Sequence, residues 1–235
     1  MKILKSFIFK LICNTKLLRR VVIGASVHGK LLPEIFVRMD SQQLRKIFFA
    51  PTDNSVAQLN QDLFAAIFNR FKTNGYFIEI GANDGFKYSN TLYLEGGFSW
   101  DGLLIEANPK YEDSLAKRDA KSVIAAVTES DGVFEFLDAD LYGGVAESIH
   151  SDTMQKNGSS STIQVQGFEL HKILKENSVP MEIDFISIDV EGAEQQVLKQ
   201  LLELNGYNIN CGCIEHNDRE GEKDVLKKML EEAGY

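Results

Sequence analysis

From residue 60 onward, short apolar runs alternate with segments of helical period, and this alternation constrains the fold more than any other feature. Asp62–Phe71 (DLFAAIFNRF) places apolar residues at helical spacing and stops before Asn74-Gly75, a turn or C-cap signal. The pattern then predicts strands over Tyr76–Ile80, Gly102–Ile105 and Ser122–Val127, with helices over Ser89–Glu95 and Tyr111–Lys117 between them. After an interruption it resumes: helix Phe168–Lys175, strand Phe185–Ile188, helix Ala193–Leu204, strand Cys211–Ile214, and a last helix from Lys223. Strands separated by helices imply parallel βαβ units with right-handed crossovers, hence an α/β fold with a doubly wound, mostly parallel sheet. Such a sheet normally continues for one or two more strands, so it is either short at that edge or the sequence is incomplete.

The interruption holds two further strand candidates, Val133–Leu137 and Thr162–Gln166. Between them Gly143–Ser161 is rich in Gly and Ser, the composition of a lid, a binding segment or a disordered stretch. No internal repeat is visible.

The 235 residues carry a net charge of −9, which argues against a nucleic-acid partner, since phosphate binding needs a basic face. The charge is uneven. Residues 1–20 hold Lys2, Lys5, Lys10, Lys16, Arg19 and Arg20 and no acid, leaving 19 basic against 34 acidic residues in the remainder. This arm is interrupted by Lys10 and has no cleavage site, so it is neither a secretory signal nor a membrane span. Ile3, Leu4, Phe7, Ile8, Leu11 and Ile12 recur at helical spacing, giving a basic amphipathic helix. It packs on the body or a partner subunit, or it rests on an anionic membrane face; both readings stay open. Residues 1–55 therefore read as an appendage, with LRKIFFA as a short helix or cap, and 56–235 as the body. Three scattered cysteines make no disulfide framework, and Cys211 and Cys213 read as buried reduced thiols in a cytosolic protein.

Ligands of such sheets bind at the carboxyl ends of the strands, and four of those ends carry polar residues that packing alone would not call for. The first is Glu79-Ile-Gly81-Ala82-Asn83-Asp84-Gly85. The glycines allow a tight turn and close approach to a ligand, but the spacing is not the dinucleotide G-x-G-x-x-G and no P-loop lysine follows. An acid before the turn suits an ammonium group. The second is Glu106, 25 positions past Gly81, placed to accept both hydroxyls of a ribose. The third is Asp189-Val-Glu191-Gly192-Ala193-Glu194, where Glu194 suits the start of a helix and Asp189 needs a partner if buried. Oxygen ligands suit Mg²⁺, but the set is too sparse to assign one, and no metal is expected. The fourth is Glu215-His216-Asn217; His216 is a natural base for a hydroxyl proton, whereas His28, His150 and His171 lie outside strand-end motifs.

In this order and spacing, FIEIGANDG, GLLIEANP, FISIDVEGAE and IEHN resemble the FkbM family of S-adenosylmethionine-dependent methyltransferases, as do NQDLF at 60–64 and Ser89-Asn90-Thr91. The resemblance covers roughly residues 58–217. It implies a Rossmann-like class I methyltransferase fold that binds S-adenosyl-L-methionine across the first two strand ends. By position, Glu79, Gly81, Ala82, Asn83, Asp84 and Gly85 would line its methionine and ribose side. Glu106 would hold the ribose hydroxyls, with Ala107 beside it. Ala126, within the segment Ala125–Glu129, would lie near the adenine. Asp189 and Glu191 would face methyl donor and acceptor, with Asp189 or His216 as the base. Members are generally O-methyltransferases, so the expected acceptor is a hydroxyl on a small molecule or glycan. A nicotinamide oxidoreductase sharing the fold and a non-catalytic adenosyl-ligand binder are the rival readings. A cytoplasmic protein, peripheral at the membrane if the arm binds there, is the expected location.

Overall fold

The computed structural model describes residues 55–139, 143–146, 148, 161–216 and 221–234. The basic arm, LRKIFFA, His28, His150 and Asn217 lie outside the described residues, as does most of the Gly/Ser-rich stretch.

The described chain falls into two compact units. One holds residues 55–75 and 86–100. Its helices are α1 (Gln61–Phe68) and α2 (Leu92–Phe98). α1 ends earlier than Asn74-Gly75 suggests. The Asn69 side-chain amide donates to the Ala65 carbonyl, and Arg70 and Phe71 follow with positive φ, a left-handed exit without any glycine. α2 begins three residues later than expected, because the Ser89 hydroxyl accepts the N–H groups of Thr91 and Leu92 and holds a turn in front of it. Phe98 packs edge-on against Tyr93, and the Trp100 indole donates to the Lys72 carbonyl at 2.7 Å.

The other unit contains residues 76–85 and everything described from 101 onward. Its main sheet has five strands, β1 (Tyr76–Ile80), β2 (Asp101–Glu106), β3 (Lys121–Ile124), β9 (Phe185–Ile188) and β11 (Gly212–Ile214), in the order β11-β9-β1-β2-β3. Every neighbouring pair is parallel. The chain therefore steps outward from β1 through β2 to β3, then returns to the opposite side of β1, the reversal that defines a doubly wound sheet. β1 and β9 are apolar and buried almost throughout, as strands of a covered parallel sheet must be. One face, with Ile78, Ile80, Leu103, Ile105, Ile186 and Ile188, packs against α4 (Leu170–Glu176), α5 (Glu194–Leu202) and α6 (Glu222–Glu232) through Leu170, Leu174, Val197, Leu198 and Leu226.

Between β3 and α4 lies a second sheet of four strands, β4 (Ala126–Val127), β5 (Gly132–Asp138), β6 (Gly144–Val145) and β7 (Ser161–Phe168), in the order β4-β7-β5-β6. Ser122–Val127 is thus not one strand. Its first part pairs with β2; the chain breaks at Ala125, whose N–H still reaches the Glu106 carbonyl, and Ala126–Val127 joins β7 instead. A small parallel pair, β8 (Glu182–Ile183) with β10 (Asn208–Ile209), had no periodicity by which to be read. The segment expected as helix Tyr111–Lys117 is a 3₁₀ turn, Pro109–Tyr111, leading into α3 (Glu112–Leu115).

Candidate functional site

Register builds the site. Ile80 lies opposite Ile105 on one side and Ile188 on the other, and Ile188 lies opposite Ile214. The next residue on each strand therefore falls into one row across the carboxyl edge: Glu215, Asp189, Gly81 and Glu106. In-register residues of parallel strands share a face, so this row and Glu79, two positions before Gly81, lie on the face opposite the isoleucine core. β1 sits at the reversal of strand order, where a doubly wound sheet opens to a ligand.

The bend after β1 is held entirely from within. Gly81 and Ala82 donate their N–H groups to the Ile105 carbonyl, Asn83 donates to Glu106, Asp84 to the Asn83 side chain, and Gly85 to the Ala82 carbonyl. Ser114 and Arg118 donate to the carbonyls of Asp84 and Gly85. Gly81 has φ +85°, and a Cβ there would lie 1.7 Å from the Asp189 carbonyl oxygen. Its small size serves the close approach of the β9 end rather than leaving room for a ligand. A pyrophosphate needs the N–H groups of such a turn; here all five point at the protein's own acceptors.

Carboxylates supply the remaining polar surface. Glu106 is buried, with one oxygen accepting the Asn83 N–H at 2.7 Å and the other the Asn108 N–H at 2.7 Å. Burial pushes its pKa up, and backbone N–H groups of Asn108, Asn83 and Ala107 hold it down, with burial the stronger. Each oxygen keeps further acceptor capacity, as a pair of neighbouring hydroxyls would need. Glu79 is buried on the same face of β1. Ala107 and Ala126 come together in a small apolar cluster with Phe136 and Val165.

On the other side of Gly81, one carboxylate oxygen from each of Asp189, Glu191 and Glu215 lies within 4.8 Å of the others. Asp189 holds its proton well above the ordinary carboxylate range, first through burial, then through the hydrogen bond that its protonated carboxyl donates to Glu215 and through the charges of Glu215, Glu191 and Glu194. Glu191 is buried with φ +53°, and the Glu194 carboxylate accepts the Gly192 N–H at 2.9 Å, where no side chain caps α5 from Ala193. His216 is half-buried next to Glu215 and lies outside the close group, while His171 is exposed and pairs with Glu169. In the sequence, Glu215 stands out only as part of the fourth strand-end motif, with no role of its own. The signal was available, since Asp189 and Glu215 each follow directly on a strand, but only the β9–β11 register makes them neighbours. Cys211 and Cys213 are half-buried thiols rather than buried ones, and Cys211 donates to the Asp184 carbonyl at 3.2 Å.

The donor set fits an adenosyl-sulfonium better than a phosphate ligand: anions and closed N–H groups suit a ligand with a cationic end and a neutral diol. The family model for the methyltransferase FkbM domain matches residues 79–235, which include every residue of this row. The chain belongs to the FkbM methyltransferase family. The match begins later and ends later than the span of 58–217 read from the motifs. No curated protein matches the chain. In this FkbM methyltransferase the matched span takes in the carboxyl edge of β9, β1 and β2.

Proposed function

We propose that this methyltransferase uses S-adenosylmethionine and methylates a hydroxyl oxygen on a sugar, glycan or related metabolite. The observation that carries the cofactor class is the bend at 81–85, whose N–H groups are all satisfied internally while Glu79 and Glu106 stand beside it. That arrangement also weighs against a nicotinamide dinucleotide. Glu79 and the bend hold the amino-acid end, Glu106 the ribose hydroxyls, and Ala107 with Ala126 the adenine side.

S-adenosylmethionine supplies an electrophilic methyl group, so the chain's own residues must hold two molecules in line and take one proton from the acceptor hydroxyl. Asp189 is suited to that proton, because burial and its carboxylate neighbours raise its pKa and so make its ionised form a stronger base than an ordinary carboxylate. Glu191 faces the acceptor, and His216 is the second candidate base. Three clustered carboxylates repel an anionic acceptor and accept the hydroxyls of a neutral one, which supports the sugar class. No helix among the described residues is long and apolar enough to cross a membrane. We place the protein in the cytoplasm, with residues 1–55 as a separate basic arm able to touch a membrane face and 56–235 as the methyltransferase domain.

Calorimetry with S-adenosylhomocysteine, followed by transfer of labelled methyl from S-adenosylmethionine to a panel of sugars, tests the reading. Binding with transfer to a hydroxyl is expected. Binding without any transfer favours a non-catalytic adenosyl-ligand protein, and no binding removes the cofactor assignment. Asp189→Asn or His216→Asn should keep binding and lower turnover; normal turnover in both would remove the base assignment.

A further inference from the structure

The loop that follows β2 is gripped by the inserted sheet. Asn108 is buried, and its N–H donates to Glu106 while its side chain bridges two other groups. The side-chain oxygen accepts the Lys110 N–H at 3.1 Å, and the side-chain N–H₂ donates to Asp138 at 3.0 Å. Asp138 is the last residue of β5 and also accepts from the Lys110 ammonium. This set fixes the Asn108 amide in one sense: turned over, it would set an N–H₂ against the Lys110 N–H and an oxygen against the Asp138 carboxylate. With the amide fixed, the backbone of 108–110 is fixed, and so is the N–H that aims one oxygen of Glu106. Ala107 adds an apolar contact to the same sheet through Ala126, Phe136 and Val165.

We infer that Asp138 is a positioning residue for the donor site: acting through Asn108, the inserted sheet sets the orientation of the Glu106 carboxylate and thereby the affinity for the adenosyl ligand. The inference rests on the S-adenosylmethionine reading above and adds to it a role for the inserted sheet. What the relay requires of position 138 is an acceptor for the Asn108 amide; the charge facing Lys110 is secondary. Asp138→Asn keeps that acceptor, and Asp138→Ala removes it.

The experiment is calorimetry with S-adenosylhomocysteine on the full chain and both variants, with ligand-free melting curves and turnover at saturating donor. Asp138→Ala should weaken binding about 10-fold, the equivalent of one charge-assisted hydrogen bond, and leave kcat within about 2-fold. Asp138→Asn should return the affinity to within about 3-fold of the wild type. A merely structural role would lower the melting temperature and the active fraction without moving Kd, and that pattern overturns the inference. So does an Asp138→Ala protein that binds like the wild type, or an Asp138→Asn protein as weak as Asp138→Ala, which would shift the effect to the Lys110 pair. A wild-type chain that binds no S-adenosylhomocysteine takes down the cofactor reading itself, and this inference with it.

Discussion

Replacing Glu106 with glutamine keeps the size of the side chain and removes its charge. In the native site two N–H groups, of Asn83 and Asn108, each point at a different oxygen of this carboxylate at 2.7 Å. An amide has one oxygen, so one of the two N–H groups must face a donor. Leaving a buried N–H without its acceptor costs about 1–3 kcal/mol. Against that, burial raises the pKa of Glu106, so the ionised native side chain carries a penalty that the neutral amide lacks. The two effects oppose, and the ligand-free protein should shift by less than about 2 kcal/mol, or a few degrees in Tm. Binding has no such offset. A hydroxyl donating to a carboxylate is worth about 1.5–3 kcal/mol, so loss of one such bond should raise Kd for S-adenosylhomocysteine roughly 10- to 150-fold. Calorimetry and a melting curve on Glu106→Gln separate the two quantities. A variant that melts within a few degrees of wild type and binds with unchanged Kd would refute the assignment of Glu106 to the ribose.

Gly81→Ala places a Cβ 1.7 Å from the Asp189 carbonyl at φ +85°, so left-handed strain and overpacking should together destabilise by about 2–5 kcal/mol, read from the denaturant midpoint. Gly96, inside α2, has nothing within 4 Å of an added Cβ, and its alanine variant should gain about 0.5–1 kcal/mol; equal shifts in the two would sink the close-approach argument. Asp189 has a raised pKa in the folded state, so its contribution to stability is complete below the ordinary carboxylate pKa and is lost as pH rises through the raised value. Tm of the ligand-free wild type should therefore fall through this group as pH rises above the ordinary carboxylate pKa, and Asp189→Asn should flatten that fall; parallel curves would exclude the shared proton.

The three central strands of the main sheet were readable because they are buried on both faces. Phe185–Ile188 stands out as an apolar run between Asp184 and Asp189, and the structure begins and ends β9 at those residues. The run Ser122–Val127 looked equally simple and was not. Its residues are apolar enough for either sheet, and the break at Ala125 arises because β7, some forty residues later, captures Ala126 and Val127. No local pattern announces such competition. The exit from α1 hid for a different reason: Arg70 and Phe71 adopt the left-handed conformation, which glycine usually marks. In the site, the acids were legible one at a time, since a carboxylate at the end of an apolar strand demands a reason. Their grouping was not, because it depends on register. Asp138 could not be found at all from sequence, as its partner Asn108 lies thirty residues away in another sheet's loop.

The row at the carboxyl edge brings anions close together, and the fold answers that repulsion in two distinct ways. On the β2 side, fixed backbone N–H groups that cannot follow a proton favour the Glu106 anion and offset part of the burial that raises its pKa. On the β9 and β11 side, Asp189 has Glu215 and Glu191 for company, and holding a proton between carboxyls lowers the repulsion. Fixed N–H donors suit the proposed role of Glu106, binding the same diol at every turnover. A proton-sharing pair suits a group that must take up and release a proton each time. Gly81 stands between them, so the donor side and the proton-accepting side of the proposed reaction meet at the one position in the row where no side chain fits.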